Sequence, residues 1–346
     1  MNGVRWLLIG AGCLGPLLHA QSSAPAALLA LSKADRTLAI VDPVSLSVLA
    51  RVPAGPDPHE VVASADGRSA YISNYGFGAH HTLTIVDLVA RKTLPPVDLG
   101  ALAGPHGLAF VAGKVWFTAE PAKAIGRFDP ASMTVDFVLG TGQDRTHMIW
   151  VAGDGERIVT SNVNSATMSI IERVRRPPPA GGAGPGAPSA GPAGGADWSE
   201  TVVPVGRGAE GFVVAPGAKE LWAANALDGT ISIVSLEGRR VTETLAANVV
   251  GANRLKFTPD GRSVLVSTLR GPDVVVFDAS SRREVKRVRV GRGAAGIQMQ
   301  PDGARAFVAC SPDDYVAVID LKTLEIVGRI EVGKTPDGLA WAVARR

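Results

Sequence analysis

The chain has 346 residues, 46% of them hydrophobic, with a formal charge of +3. That length is ample for a buried core, and its basic residues are scattered rather than clustered, which argues against nucleic-acid binding. Of the two cysteines, only Cys310 lies beyond the leader-like start, so a mature chain would have no intramolecular disulfide.

Residues 1–24 read as a secretory signal. Arg5 gives a charged start, Trp6 to Leu18 an apolar run too short to span a bilayer, and Ala20 or Ala24 a small-residue cleavage point. A periplasmic or secreted address is expected. Lipidation through Cys13 in "GAGC" is a minor alternative, weakened by Gly10 where a large aliphatic is preferred. Charges, glycines and prolines interrupt every later apolar run, so no transmembrane segment is expected.

From residue 25 onward the chain repeats. Equivalent starts fall at Pro58, Pro105, Thr146, Ala209, Ala252, Ala294 and Pro336, mostly 41 to 47 residues apart. The exception, 63 residues, contains a Pro/Gly/Ala tract at about 175–197 that cannot build a core and is expected to be disordered. Each unit reads as four short strands, with Asp-Gly turns at Asp66, Asp154, Asp260 and Asp302 between the first two. Runs such as "DVVVFD" and "YVAVID" are apolar on both faces, as strands covered on both sides require. A period near forty with four strands is a propeller signature. Residues 27–55 supply three strands and residues 336–346 a lone first strand, so seven blades with a clasp between the two ends are expected, as a monomer.

The pattern Tyr71-Ile-Ser-Asn74 followed by "TLTIVDL" resembles the YVTN or YncE-like repeat propellers of exported bacterial proteins. One unit, "PHGLAFVAGKVWFTAEPAKAIGRFD", is similar to the repeats of streptogramin lyases, and its Pro-His start to that of propeller lactonases. The lyase resemblance implies a Glu directly after Trp-Phe-Thr, helping to bind magnesium beside a catalytic His. Here Ala119 holds that place and Glu120 follows it; regular strand alternation would aim Glu120 away, unless the strand end is bulged.

The first strand of a blade lines the central channel. His59, His106 and His147 share one register at its start in three successive units; Glu210, Asn253, Ala295 and Asp337 continue it. His80 and His81 fall in a loop on the same face. A ligand site at the channel mouth is therefore expected from His59, His80, His81, His106, His147, Glu210, Asn253 and Arg254. Within it, His59, His106, His147 and Glu210 form a candidate set for a divalent metal, and His106 and His147 are candidate acid–base residues. The plainer reading gives each His a loop carbonyl as partner, Arg254 a neighbouring carboxylate, and Asn74, Asn162 and Asn225 a turn closed onto backbone. Three functions stay open: binding of a small molecule or protein partner at the mouth, a metal-assisted lyase or lactonase, and an interaction scaffold. No nucleophile elbow, phosphate loop or zinc-protease helix appears.

Overall fold

A computed structural model describes residues 26–175 and 196–343. The expected signal segment, Cys13 and most of the Pro/Gly/Ala tract lie outside the described residues. Seven antiparallel sheets, each of four strands, make seven blades, and the only helical elements described are two short 3-10 turns. In blade 1 the innermost strand, Pro336–Ala342, pairs with Ala27–Ser32, followed by Thr37–Val41 and Val48–Pro53. The chain's two ends therefore close the ring. Blades 2 to 7 then open on Pro58–Ala63, Pro105–Val111, Thr146–Val151, Ala209–Val214, Ala252–Phe257 and Ala294–Met299.

Local chemistry repeats with the blades. At Asp66, Asp154, Asp260 and Asp302 the carboxylate accepts the backbone N–H two residues on, while the following glycine takes positive φ. The middle strands are buried throughout, as in Val274–Phe277 and Val316–Ile319, and pack blade against blade. Blade 2 has a split outer strand, Lys92–Thr93 and Val97–Asp98, because Pro95 and Pro96 between them have no N–H to donate.

The asparagines correct the expectation of a turn closed onto backbone. Asn74 donates to the hydroxyls of Thr82 and Thr84, Asn162 to Thr167 and Ser169, and Asn225 to Thr230 and Ser232. Each ties strand two to strand three from within the core.

Every inner strand is irregular near its mouth end. In blade 2, Pro58 pairs with Asn74 but Val61 with Ile72, so three steps on one strand face two on the other. Similar shifts occur in all the other blades. Such bulges re-aim side chains, and here they fall at the seven register positions.

Candidate functional site at the channel mouth

Hydroxyls on the second strands set the spacing of the ring. Ser73 Oγ accepts the Glu60 N–H and donates to the His106 carbonyl at 2.9 Å, joining blade 2 to blade 3. Thr118 does the same for Gly107 and the His147 carbonyl, and Ser161 for Met148 and the Glu210 carbonyl. Glycine after a register residue lets neighbouring blades approach. A Cβ on Gly107 would lie 2.5 Å from the His147 carbonyl oxygen, and one on Gly338 2.5 Å from that of His59. These hydroxyls and glycines bring three imidazoles into one stack: ring centroids are 4.4 Å apart for His59 and His106, and 3.8 Å for His106 and His147.

Stacked neighbours differ sharply in their partners. His147 is buried between two carboxylates, with Nδ1 at 2.5 Å from Glu120 and Nε2 at 2.9 Å from Glu210. Ionised carboxylates only accept, so this setting favours a proton on both ring nitrogens, the imidazolium form of His147. Burial pulls its pKa down, but the hydrogen bonds to Glu120 and Glu210 prevail and raise it. Burial likewise opposes ionisation of Glu210, and the His147 bond brings its pKa down to about 2 instead. Tyr75 donates to Glu120 at 2.5 Å, and Arg145 reaches both carboxylates, at 3.6 Å and 3.4 Å.

His106, by contrast, is fully buried, and neither of its ring nitrogens has a hydrogen-bond partner among the described residues. Burial, then the charge of His147, push its pKa well below the ordinary histidine value, so it stays neutral. His59 is also neutral, pushed down to about 3 by burial and then by Lys33, whose ammonium donates to its Nδ1 at 2.6 Å.

A cavity of about 310 Å³ opens over this ring, lined by His59, His147, Glu210, Asn253, Arg254 and Asp337, with Lys33, Tyr75 and Arg145 also at its wall. Phe77 stands at the rim, 85% exposed, with φ of 51° in the left-handed region that a bulky side chain seldom adopts. Arg254 does find the carboxylate partner of the plainer reading: it pairs with Glu60 across the channel.

Several expectations require correction. Glu120 is not aimed away: its strand runs regularly to Ala119 and ends there, and from the turn that follows the carboxylate reaches back onto His147. The donors that lie together, all within 4.8 Å, are His106, Glu120 and His147. That group replaces the expected His59, His106, His147 and Glu210, because Lys33 holds His59 while Glu210 bonds the far nitrogen of His147. His80 and His81 do not line the cavity: His80 packs over Gly76, and His81 pairs with Asp98 at 2.8 Å in an exposed position. Tyr75, Arg145 and Lys33 went unnoticed in the sequence, although Tyr75 directly follows Asn74 and Arg145 directly precedes the Thr146-His147 pair.

The fold and the mouth together define a seven-bladed propeller with a histidine–carboxylate cluster at one end of its channel. No protein-family model matches the chain, and no curated protein matches it. Solved structures do. The chain is similar to a functionally unknown protein from Desulfotomaculum acetoxidans DSM 771, with a TM-score of 0.73 at 12% identity, covering 92% of this chain and 99% of that one. It is also similar to a candidate 6-phosphogluconolactonase from Bacteroides uniformis ATCC 8492, with a TM-score of 0.72 at 14% identity, covering 91% and 99%. A third is the dihydro-heme d1 dehydrogenase NirN in complex with DHE, with a TM-score of 0.60 at 16% identity, covering 90% and 74%. At these identities the likeness is one of fold.

Proposed function

We propose that the protein is an exported, YncE-like binding propeller whose channel mouth captures its ligand through a divalent metal ion held by His106, Glu120 and His147. The observation that supports this is the unpartnered His106 ring. A buried polar group without a partner is costly, and two further donors of metal-binding type stand beside this one. Two imidazoles and a carboxylate suit zinc or a similar ion and leave room for exogenous ligands. The ion would supply a Lewis-acidic charge beneath the mouth cavity, while Arg145, Lys33 and Tyr75 would orient a polar ligand above it. To serve as a ligand, His147 must surrender a proton now shared with a carboxylate, so uptake of metal releases protons and weakens at low pH.

A second reading, a metal-assisted lyase or lactonase, is favoured by one observation: Glu120, one residue late in sequence, still bonds His147 from the turn after its strand. It uses the same ion.

Calorimetric titration of zinc and manganese into metal-stripped protein tests the proposal. One site is expected in the parent, lost in His106→Ala and Glu120→Gln and retained in His81→Ala. Absence of binding heat at both neutral and mildly acidic pH would overturn it.

A further inference from the structure

The far halves of the seven inner strands enclose a second space, a lumen of about 530 Å³ to which every blade contributes. This lies within the range of roughly 300–1,000 Å³ usual for small-molecule sites. Four aromatic side chains, Phe110, Trp150, Phe212 and Trp341, stand in its wall. The chain has only six tryptophans and nine phenylalanines, so four at one lumen is a concentration, and concave aromatic walls are what apolar ligands fill.

Two charged residues line the lumen, Glu60 and Lys256. Glu60 is already committed to Arg254. Lys256 has no hydrogen bond or ion pair among the described residues. Its side chain is exposed within the lumen, and desolvation holds its pKa below the ordinary lysine value. The Arg254–Glu60 pair, joining blade 6 to blade 2, forms the partition, with Arg254 facing the mouth and Glu60 the lumen.

We propose that this lumen is a second ligand site, separate from the mouth, that takes an aromatic carboxylate. Lys256 Nζ pairs with the carboxylate, and the four aromatic side chains receive the apolar body. One ammonium balances one negative charge. A phosphate dianion would leave excess negative charge beside Glu60, which selects a monoanion. A neutral apolar molecule would leave Lys256 desolvated without a partner.

The test uses 1-naphthaleneacetate and its neutral counterpart, 1-naphthaleneacetamide, with calorimetry and tryptophan fluorescence on the full chain. The acetate is expected to bind saturably at low millimolar concentration or below, at least about tenfold tighter than the amide. Lys256→Met should abolish that preference, and Lys256→Arg should keep it. Met suits an apolar wall, so the variant is expected to fold, and its melting profile checks this. Trp150→Phe should reduce the fluorescence response. Equal affinity for both probes, unchanged preference in Lys256→Met, or sensitivity to Phe77→Ser at the mouth in place of Lys256 would each overturn the assignment. None of these outcomes depends on metal, so failure here leaves the mouth reading standing.

Discussion

The same seven strands build two unlike ends. At the mouth, charges are partnered almost without exception, and the unsatisfied group is a neutral imidazole, His106. In the lumen four aromatic side chains stand in the wall, and the cation without a protein partner among the described residues is the exposed Lys256. Only a few residues of strand length separate them: Asn253 and Arg254 face the mouth and Lys256 the lumen on one strand, His147 and Trp150 divide another likewise. A propeller can thus carry two chemistries along one channel, provided something insulates them. Here that is the buried Arg254–Glu60 pair.

The most severe way to break the comparison is to remove a strand that serves both ends. Truncation from Pro336 deletes Asp337 from the mouth, Leu339 to Trp341 from the lumen, and the partner of Ala27–Ser32. Opening the ring exposes a sheet edge and buried apolar surface. Aggregation, or a melting temperature lower by more than about 10 °C, is expected by calorimetry. A truncated chain as soluble and stable as the parent would contradict the closed seven-blade ring.

Single substitutions at the two ends should then differ. His147→Ala strands buried Glu120 and half-buried Glu210, and breaking such a pair costs about 3–5 kcal/mol, here toward the lower figure because Arg145 and Tyr75 remain. Lys256→Met breaks no contact and should change stability by less than about 1 kcal/mol. Chemical denaturation reads both. Equal losses would erase the distinction between the ends.

Acid sharpens it further. The unfolded chain takes up protons on its histidines near ~6.5, but folded His59 accepts one only at about 3, and burial holds His106 well below the ordinary histidine value too. Stability should therefore fall as pH drops from ~6.5 toward 3. His147 has the opposite sign: its contribution is complete below ~6.5 and is lost as pH rises through its raised pKa. The Glu210 contribution holds above ~4.5 and disappears as pH falls through about 2. His59→Gln should flatten the slope of stability between pH ~6.5 and 4, as read by urea titration at several pH values. An unchanged slope would place the protons elsewhere.

The smallest effect is expected on the Pro/Gly/Ala tract. Thr167–Arg175 and Ala196–Pro204 pair in continuous register up to Arg175 opposite Ala196, so the sheet is complete without the residues between. Replacing Pro177 to Gly195 by a short Gly-Ser bridge should move the melting temperature by no more than about 2 °C. A larger loss would show that the tract packs on the blades.

Blade number and closure were legible in the sequence because they rest on period, turn residues and unfinished ends, all of which survive without side-chain detail. The register of His59, His106 and His147 was legible for the same reason. What escaped was where the second strand ends beside the register position. Counting along an unbroken strand turns Glu120 away, whereas the strand ends at Ala119 and the turn that follows brings the carboxylate back. Sharing a face was also too coarse a criterion for His80 and His81, since a loop can carry a side chain outside the cavity it borders. Tyr75 and Arg145 sit beside recognised positions but belong to no repeat, and their convergence is a property of the closed ring.

The central claim is that the missing partner of His106 is a metal ion. Crystals of the protein soaked in zinc and measured at the zinc absorption edge test it most directly. The account predicts one strong anomalous peak in the buried cluster, about 2.0–2.2 Å from ring nitrogens of His106 and His147 and a Glu120 oxygen. No peak there, or zinc found only at the exposed His81–Asp98 pair, would contradict it.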